Sequence, residues 1–433
     1  MLFGCDDSIC DIQKSDDMPE FLTLVSPDQA LALWMAYLQT PPSFEDIKTV
    51  QSLGRVTANP VYAPHPLPPF TRSSVDGYAV IAADTYGASD SLPAYLKIAG
   101  EVRMGIEPDF VLLKGQAAVI HTGGMLPPGA DAVAMIEHTQ SIHSGEIEVL
   151  KSVAYGENTL RMGEDVAQGE QIIPAGVFLR SAEIGGLMAL GITELQVVRK
   201  PRVGIISTGD EVIPPDAIPT SGQVRDINSY SLSALVEESG GIAVRYGIVP
   251  DDEIALQNIV VEALEAVEIV AITAGSSASV RDITSQVINS LGVPGVLVHG
   301  VNVRPGKPTI LAACNTPTSG IYKAIIGLPG NPVSALVIAR LFIVPLIEKW
   351  LGVRRREIHE HLKARLMINL PSQAGREDWI PVRVNLVDGL LQAEPIFGKS
   401  NHIFSLVRAD GLLKIPADAT GLSAGESVDI ILF

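Results

Sequence analysis

The sequence predicts a multidomain chain of α/β plus β class. Its parts are a doubly wound, largely parallel α/β domain, a β-rich inserted domain and a small C-terminal β-barrel. Three observations carry this expectation. Of 433 residues, 47% are hydrophobic and only 18% charged, so the chain has apolar side chains for several cores and intrinsic disorder is excluded. Short, wholly apolar runs at 203–206, 242–248, 269–272, 296–301, 309–313 and 324–326 alternate with helical patterns, as strands buried on both faces of a sheet do. At 71–157 and 358–433, β-type runs alternate instead with glycine and proline turns.

The elements follow in order. Residues 1–20 hold five aspartates and one lysine, which makes an acidic tail and no signal peptide. Ser26 is an N-cap, Pro27 suits the first helical position and Gln29 completes a capping box; Leu31, Leu33, Trp34 and Leu38 follow, and Thr40-Pro41-Pro42 stops the helix. Residues 21–64 with 158–198 are expected as an N-terminal linker domain, and proline-rich 61–70 as an extended entry into the β-rich domain, 65–157. That domain should hold strands at 78–81, 95–99, 117–121, 132–136 and 146–149. A short helix over 181–190 is closed by Gly191. In the α/β domain, 199–352, Leu256, Ile259, Val260, Ala263 and Leu264 share one helix face after Pro250-Asp251-Asp252. A long helix ends near 350–356 in a basic cluster, and 353–433 forms the barrel, with strands at 382–387 and 428–432.

Charge narrows the function. Acidic residues number 49 against 31 basic, a net charge of −18, so a nucleic-acid partner is not expected, because counterion release needs a basic face. Aromatics at 5% offer no base-stacking platform. The most apolar stretch, 325–346, is broken by Pro329, Asn331, Pro332, Arg340 and Pro345, so no membrane span is expected. Three cysteines fit a reducing cytoplasm. Walker A, Gly-x-Gly-x-x-Gly and Gly-x-Ser-x-Gly patterns are absent, and the histidines are scattered. An anionic substrate must therefore be held by local cations, backbone N–H groups or a metal.

Such groups gather directly after the apolar runs, at the carboxyl ends of the predicted strands, where open α/β sheets bind ligands. Ser207-Thr208-Gly209-Asp210-Glu211 follows one run, and Gly275-Ser276-Ser277 another, with Arg281 and Asp282 beyond. Arg304-Pro305-Gly306-Lys307-Pro308 and Gly327-Leu328-Pro329-Gly330-Asn331-Pro332 follow two more. The Gly/Ser run offers unencumbered N–H groups for phosphate. Asn331 and Pro332 start a helix whose N-terminus faces the same crevice. Arg304 and Lys307 supply cations, and Asp210, Glu211 and Asp282 are oxygen ligands of the kind magnesium uses beside phosphate. Singly, each loop is also an ordinary turn or cap; four on one edge describe a site for a phosphorylated anion with a divalent metal.

The motifs resemble the molybdopterin molybdenumtransferases (the MoeA-like family, which includes the gephyrin E domain). Pro68-Pro69-Phe70-Thr71-Arg72-Ser73-Ser74-Val75-Asp76-Gly77-Tyr78-Ala79 is similar to the signature opening that family's second domain. His121-Thr122-Gly123-Gly124 with Pro128-Gly129-Ala130-Asp131-Ala132-Val133, Arg161-Met162-Gly163-Glu164-Asp165, and the stretches at 208, 304 and 327 match further blocks. So do Ala409-Asp410-Gly411-Leu412 and Gly425-Glu426-Ser427-Val428, so the resemblance runs from about 21 to 433. Four positions depart from the family pattern, two of them missing glycines. The usual Gly-Gly-x-Ser-x-Gly is Ala274-Gly275-Ser276-Ser277-Ala278-Ser279, a lysine is replaced by Arg304, and an asparagine by Arg72.

The resemblance implies a molybdopterin-binding α/β domain and the last step of molybdenum cofactor biosynthesis. Molybdate enters adenylylated molybdopterin with Mg²⁺-dependent release of AMP, in a cytoplasmic homodimer with composite sites. Asp76, Asp165, Glu211 and Asp282 are then the magnesium and catalytic acids, with Lys307 as a catalytic cation. Thr122, Thr208, Gly209, Asp226, Gly275, Ser276, Pro305, Gly306, Asn331 and Pro332 border the pterin or nucleotide. Arg304, Lys307, Ser334, Arg376 and Ser400 hold the oxyanion, for which molybdate and tungstate are chemically alike. Two alternatives stand beside this: a non-catalytic cofactor-binding scaffold of the same fold, and a molybdopterin adenylyltransferase. Intact acids near Lys307 favour the enzyme over the scaffold, and the extra domains speak against the adenylyltransferase.

Overall fold

The computed structural model describes residues 24–39, 42–143, 145–274, 278–315, 320–353 and 361–433. These form two units: Phe44–Val197, and the residues up to Ser43 together with Val198–Phe433. The expected acidic tail, 1–20, and the helix stop at Thr40-Pro41 lie outside the described residues.

In the larger unit the apolar runs become one six-stranded sheet. Its order is Ile242–Val249, Arg202–Thr208, Ile269–Ala274, Tyr322–Pro329, Ile310–Asn315, Pro294–His299. The first four strands are parallel, and Ile269–Ala274 between them is buried at every residue. The last two are antiparallel to their neighbours. Their connections, 300–309 and 316–321, are too short for the crossover of about a dozen residues that a parallel pair needs. The largely parallel sheet therefore ends in an antiparallel edge.

Two pairs of helices pack against this sheet. Helix Asn228–Glu238 packs with Pro332–Leu351, and Glu253–Ala266 packs with Ala278–Ser290. Asp252 caps Glu253–Ala266 by accepting from the Ala255 N–H at 2.8 Å. That helix buries Leu256, Val260, Ala263 and Leu264 in a core with Ile206, Val270 and Ile272. Pro332–Leu351 starts with proline in its first turn and stops at Gly352 in the left-handed region.

Helix Pro27–Tyr37 forms as its capping box predicts: the Ser26 hydroxyl accepts from the Gln29 N–H, and the Gln29 side chain accepts from the Ser26 N–H. It falls in the same compact unit as the α/β sheet. Trp34 is fully buried, donates from Nε1 to the Ala312 carbonyl at 2.7 Å and meets Phe342 edge-on. Burial of one indole draws this helix onto the α/β sheet. Val25 also pairs with Val301.

The C-terminal strands Glu377–Val387, Leu390–Pro395, His361–Leu366, Ser427–Leu432 and Gly411–Ile415 close into a barrel, the last pairing back to the first. Leu366, Val382, Ala393, Leu413, Ile415 and Ile430 fill it. Val303–Arg304 extends from the α/β domain and pairs in parallel with the first barrel strand, Arg304 opposite Asp378. This ladder ties barrel to sheet.

The smaller unit contains a six-stranded sheet in the order Ala132–Met135, Gly77–Val80, Gln116–Ile120, Ala94–Glu101, Glu146–Val149, Thr139–His143. Five of these strands coincide with the apolar runs. Thr139–His143, at the edge, is mostly polar and carries no such signal. Proline-rich 61–70 is not a free link, because Val61–Tyr62 pairs with Gln171–Ile173. Helix Ser181–Ala189 starts at a Glu183–Arg180 ion pair (2.6 Å), which holds the Glu183 carboxyl down at about 2, and ends at Gly191.

Candidate functional site

The carboxyl edge of the parallel sheet opens into a cleft of about 400 Å³, lined by Thr208, Glu211, Asp226, Asn331 and Pro332 among others. Gly209 makes the turn between Thr208 and Glu211, its N–H donating to the Val249 carbonyl. Asp226 is less available than expected. Its Oδ2 accepts from the hydroxyls of Ser207 (3.0 Å) and Ser229 (2.5 Å), and its Oδ1 from the Ser229 N–H. It therefore braces the cleft wall from within.

Two groups here escaped the sequence reading. Asn228 donates from Nδ2 to the Gly330 carbonyl at 2.8 Å, while its Oδ1 is buried without a partner among the described residues, in the wall of the cleft. Asp251 follows the strand Ile242–Val249, and its Oδ1 is likewise buried and unpartnered. Burial raises the Asp251 carboxyl above the usual range, and the negative charges of Asp210 and Glu211 raise it further; hydrogen bonding with Thr208 and the Asp210 backbone only partly offsets this. A carboxylate short of partners and crowded by two others suits a hard divalent cation. Among the described residues no three His, Cys, Asp or Glu side chains are arranged to hold a metal alone. Asp251 was legible only as one of two aspartates before a helix; Asp252 is the cap, and Asp251 lies beside Asp210 and Glu211.

A second cleft, of about 1050 Å³, lies where the α/β domain meets the barrel. Arg304, Pro305, Gly306, Lys307, Asn331, Ser334, Arg376 and Ser400 all line it, with Lys399 and Asp378. Gly306 adopts φ +119°, and a Cβ there would stand 2.4 Å from Ile338 Cγ1. Only glycine lets the cationic loop lie this close against the long helix. Thr309 closes the loop by donating its hydroxyl to the Gly306 carbonyl at 2.7 Å. Asp378, buried, receives Arg376 Nε at 2.9 Å and stands 3.7 Å from Arg304 Nη1. Asn331 borders both clefts and donates from Nδ2 to Ser400 Oγ at 3.0 Å.

In the smaller unit, Asp76 accepts at Oδ1 from the Thr122 N–H at 2.8 Å, with His121 Nδ1 3.6 Å away. The Thr122 hydrogen bond is the main reason its carboxyl sits below the usual range; nearby His121 adds to it. The Thr122 backbone is thus committed to Asp76. Gly77 must lack a side chain, since a Cβ would meet the Ala134 carbonyl oxygen at 2.0 Å, and this fixes Asp76 at the head of its strand. Asp165 is exposed after the turn at Gly163. Gly275 and Ser276 lie outside the described residues, as does the side chain of Asp282, whose backbone belongs to helix Ala278–Ser290.

Family comparison joins these parts. The "MoeA N-terminal region (domain I and II)" matches residues 25–191, the "Probable molybdopterin binding domain" 204–349 and the "MoeA C-terminal region (domain IV)" 363–433. A molybdopterin molybdenumtransferase from Nostoc is 34% identical over 87% of this chain and 86% of its own. The chain belongs to the MoeA family of molybdopterin molybdenumtransferases. Membership makes it a transferase of molybdenum cofactor biosynthesis. A second relative of that name, from Haemophilus influenzae, is 29% identical over 94% of this chain and 98% of its own. The crystal structure of a molybdopterin biosynthesis MoeA protein from Pyrococcus horikoshii superposes with a TM-score of 0.81 at 32% identity, covering 95% of this chain and all of that one. Among the described residues of this MoeA-family chain, no helix is long and apolar enough to cross a membrane.

Proposed function

We propose that this chain inserts molybdate into adenylylated molybdopterin and releases AMP in a Mg²⁺-dependent reaction, as a cytoplasmic homodimer with composite sites. The observation that carries the reading is a cationic cleft in a chain of net charge −18, joined through Asn331 to a carboxylate-bearing one. One elongated ligand lies across both. The nucleotide occupies the smaller cleft, and the pterin end reaches the larger one, where the oxyanion waits.

The protein's own groups have distinct tasks. Arg304, Lys307 and Arg376 neutralise the oxyanion, with Ser334 and Ser400 as hydroxyl donors. Asn331, at the start of a 20-residue helix, offers the phosphoanhydride the positive end of the helix dipole. Thr208 and Asn228 hold the nucleotide side. Glu211, Asp251 and Asp282, with Asp76 and Asp165 supplied by the partner subunit, would hold Mg²⁺. When bound, that ion supplies charge neutralisation at the phosphoanhydride.

Lys307→Gln tests the assignment. Solvated lysines elsewhere are screened over about 8 Å at physiological salt, so the loss should fall on the local oxyanion. The molybdate concentration for half-maximal cofactor formation should rise far more than the affinity for adenylylated molybdopterin falls. Equal losses in both would assign Lys307 to the phosphates instead, and an unchanged molybdate requirement would move the cationic site away from this loop.

A further inference from the structure

We infer that Asp378 is the positioning residue of the oxyanion cleft: it clamps Arg304 and Arg376, which come from two different domains, into one anion-binding unit. A carboxylate is unexpected in a pocket meant for a dianion, since on its own it would repel the ligand. Its surroundings resolve this. The Asp378 side chain is only 4% exposed, with Oδ1 accepting from Arg376 Nε at 2.9 Å and Oδ2 lying 3.7 Å from Arg304 Nη1. The ladder places Arg304 directly opposite Asp378, and Arg376 precedes Asp378 by two positions on the same chain. Two guanidinium groups brought this close repel one another. One buried carboxylate between them offsets that repulsion, accepting one N–H of Arg376 and facing Arg304 at ion-pair distance.

The neighbouring acid does something else. Glu377 is turned to Lys414 (2.7 Å) and Trp379 (3.2 Å), so it serves the barrel. The two adjacent acids are therefore separable: Asp378 acts on the cleft and Glu377 on the fold.

The inference rests on the proposed oxyanion role of this cleft, and its test is built to fail separately. Binding of molybdate alone is measured by equilibrium dialysis, beside molybdate-dependent AMP release. Asp378→Asn, which keeps shape and removes charge, should weaken molybdate binding by about tenfold or more, as loss of a charge-assisted clamp does. Turnover at saturating molybdate and affinity for adenylylated molybdopterin should stay within about twofold, because positioning acts on oxyanion binding and not on the bond broken. In an Arg376→Gln background the same substitution should add clearly less than it does in the wild-type protein, since only the route through Arg304 then remains. Glu377→Gln should leave molybdate binding unchanged. Unaltered binding by Asp378→Asn overturns the inference, and so does a full additional loss in the Arg376→Gln background. If the asparagine variant does not fold, Asp378→Glu carries the test: the charge is kept but moved by one methylene, and unaltered binding again overturns the inference. Should the wild-type protein bind molybdate without AMP release, the proposed reaction fails while the clamp remains open to the same dialysis test.

Discussion

Asp251 shows how a single side chain divides stability from function. Its carboxyl is raised by burial first and then by the charges of Asp210 and Glu211. A group raised in the folded state lends stability below the ordinary carboxylate range, and that contribution is lost as pH climbs through the raised value. At neutral pH the ionised Asp251 carboxylate is therefore a liability, which the proposed Mg²⁺ would relieve. Asp251→Asn should increase thermal stability at pH 7 without magnesium and lower AMP release by at least about tenfold; a variant that is both less stable and fully active would refute this. In the wild-type protein the magnesium concentration needed for half-maximal rate should rise as pH falls toward that value, because the proton competes for the same oxygens. Glu211, Lys307 and Asn331 were legible at this scale because each sits in a polar loop after an apolar run. Asp251, Asn228 and Asp378 were not, since their roles arise from neighbours distant in sequence: Gly330 for Asn228, Arg304 for Asp378.

Among the elements, the loop 304–308 decides whether the cations meet. Gly306 packs on Ile338 of the long helix with no room for a methyl group. Gly306→Ala should cost about 1–3 kcal/mol through strain and overpacking, read as a lower denaturant midpoint, and should raise the molybdate requirement as the loop lifts. A variant with both quantities unchanged would show that the loop is not set by this contact. The strands were largely visible in the sequence because burial on both faces demands unbroken apolar runs, as at Ile269–Ala274. The antiparallel edge was not, because periodicity carries no direction; connection length does. Helix Pro27–Tyr37 was predicted from its cap, yet its packing partner was not, since a capping box specifies a start and says nothing of where Trp34 will be buried.

For the whole molecule, net charge and site charge point in opposite directions, and the cationic cleft is the local answer to a chain of net charge −18. The family resemblance was legible almost end to end because its motifs lie in loops, whose residues are chosen for chemistry more than for packing. The composite-site proposal has its own test in coexpression of Asp76→Ala chains with Lys307→Ala chains. Mixed dimers should recover a working site, because each would unite one intact half from each chain; activity no greater than either mutant alone would mean that sites are built within one chain. Molybdate insertion is tested by following AMP released from adenylylated molybdopterin by the purified protein with Mg²⁺ while molybdate is titrated. Release should saturate with molybdate, fail without Mg²⁺ and match the amount of metal-containing cofactor formed. AMP release indifferent to molybdate, or none at saturating molybdate and magnesium, would contradict it.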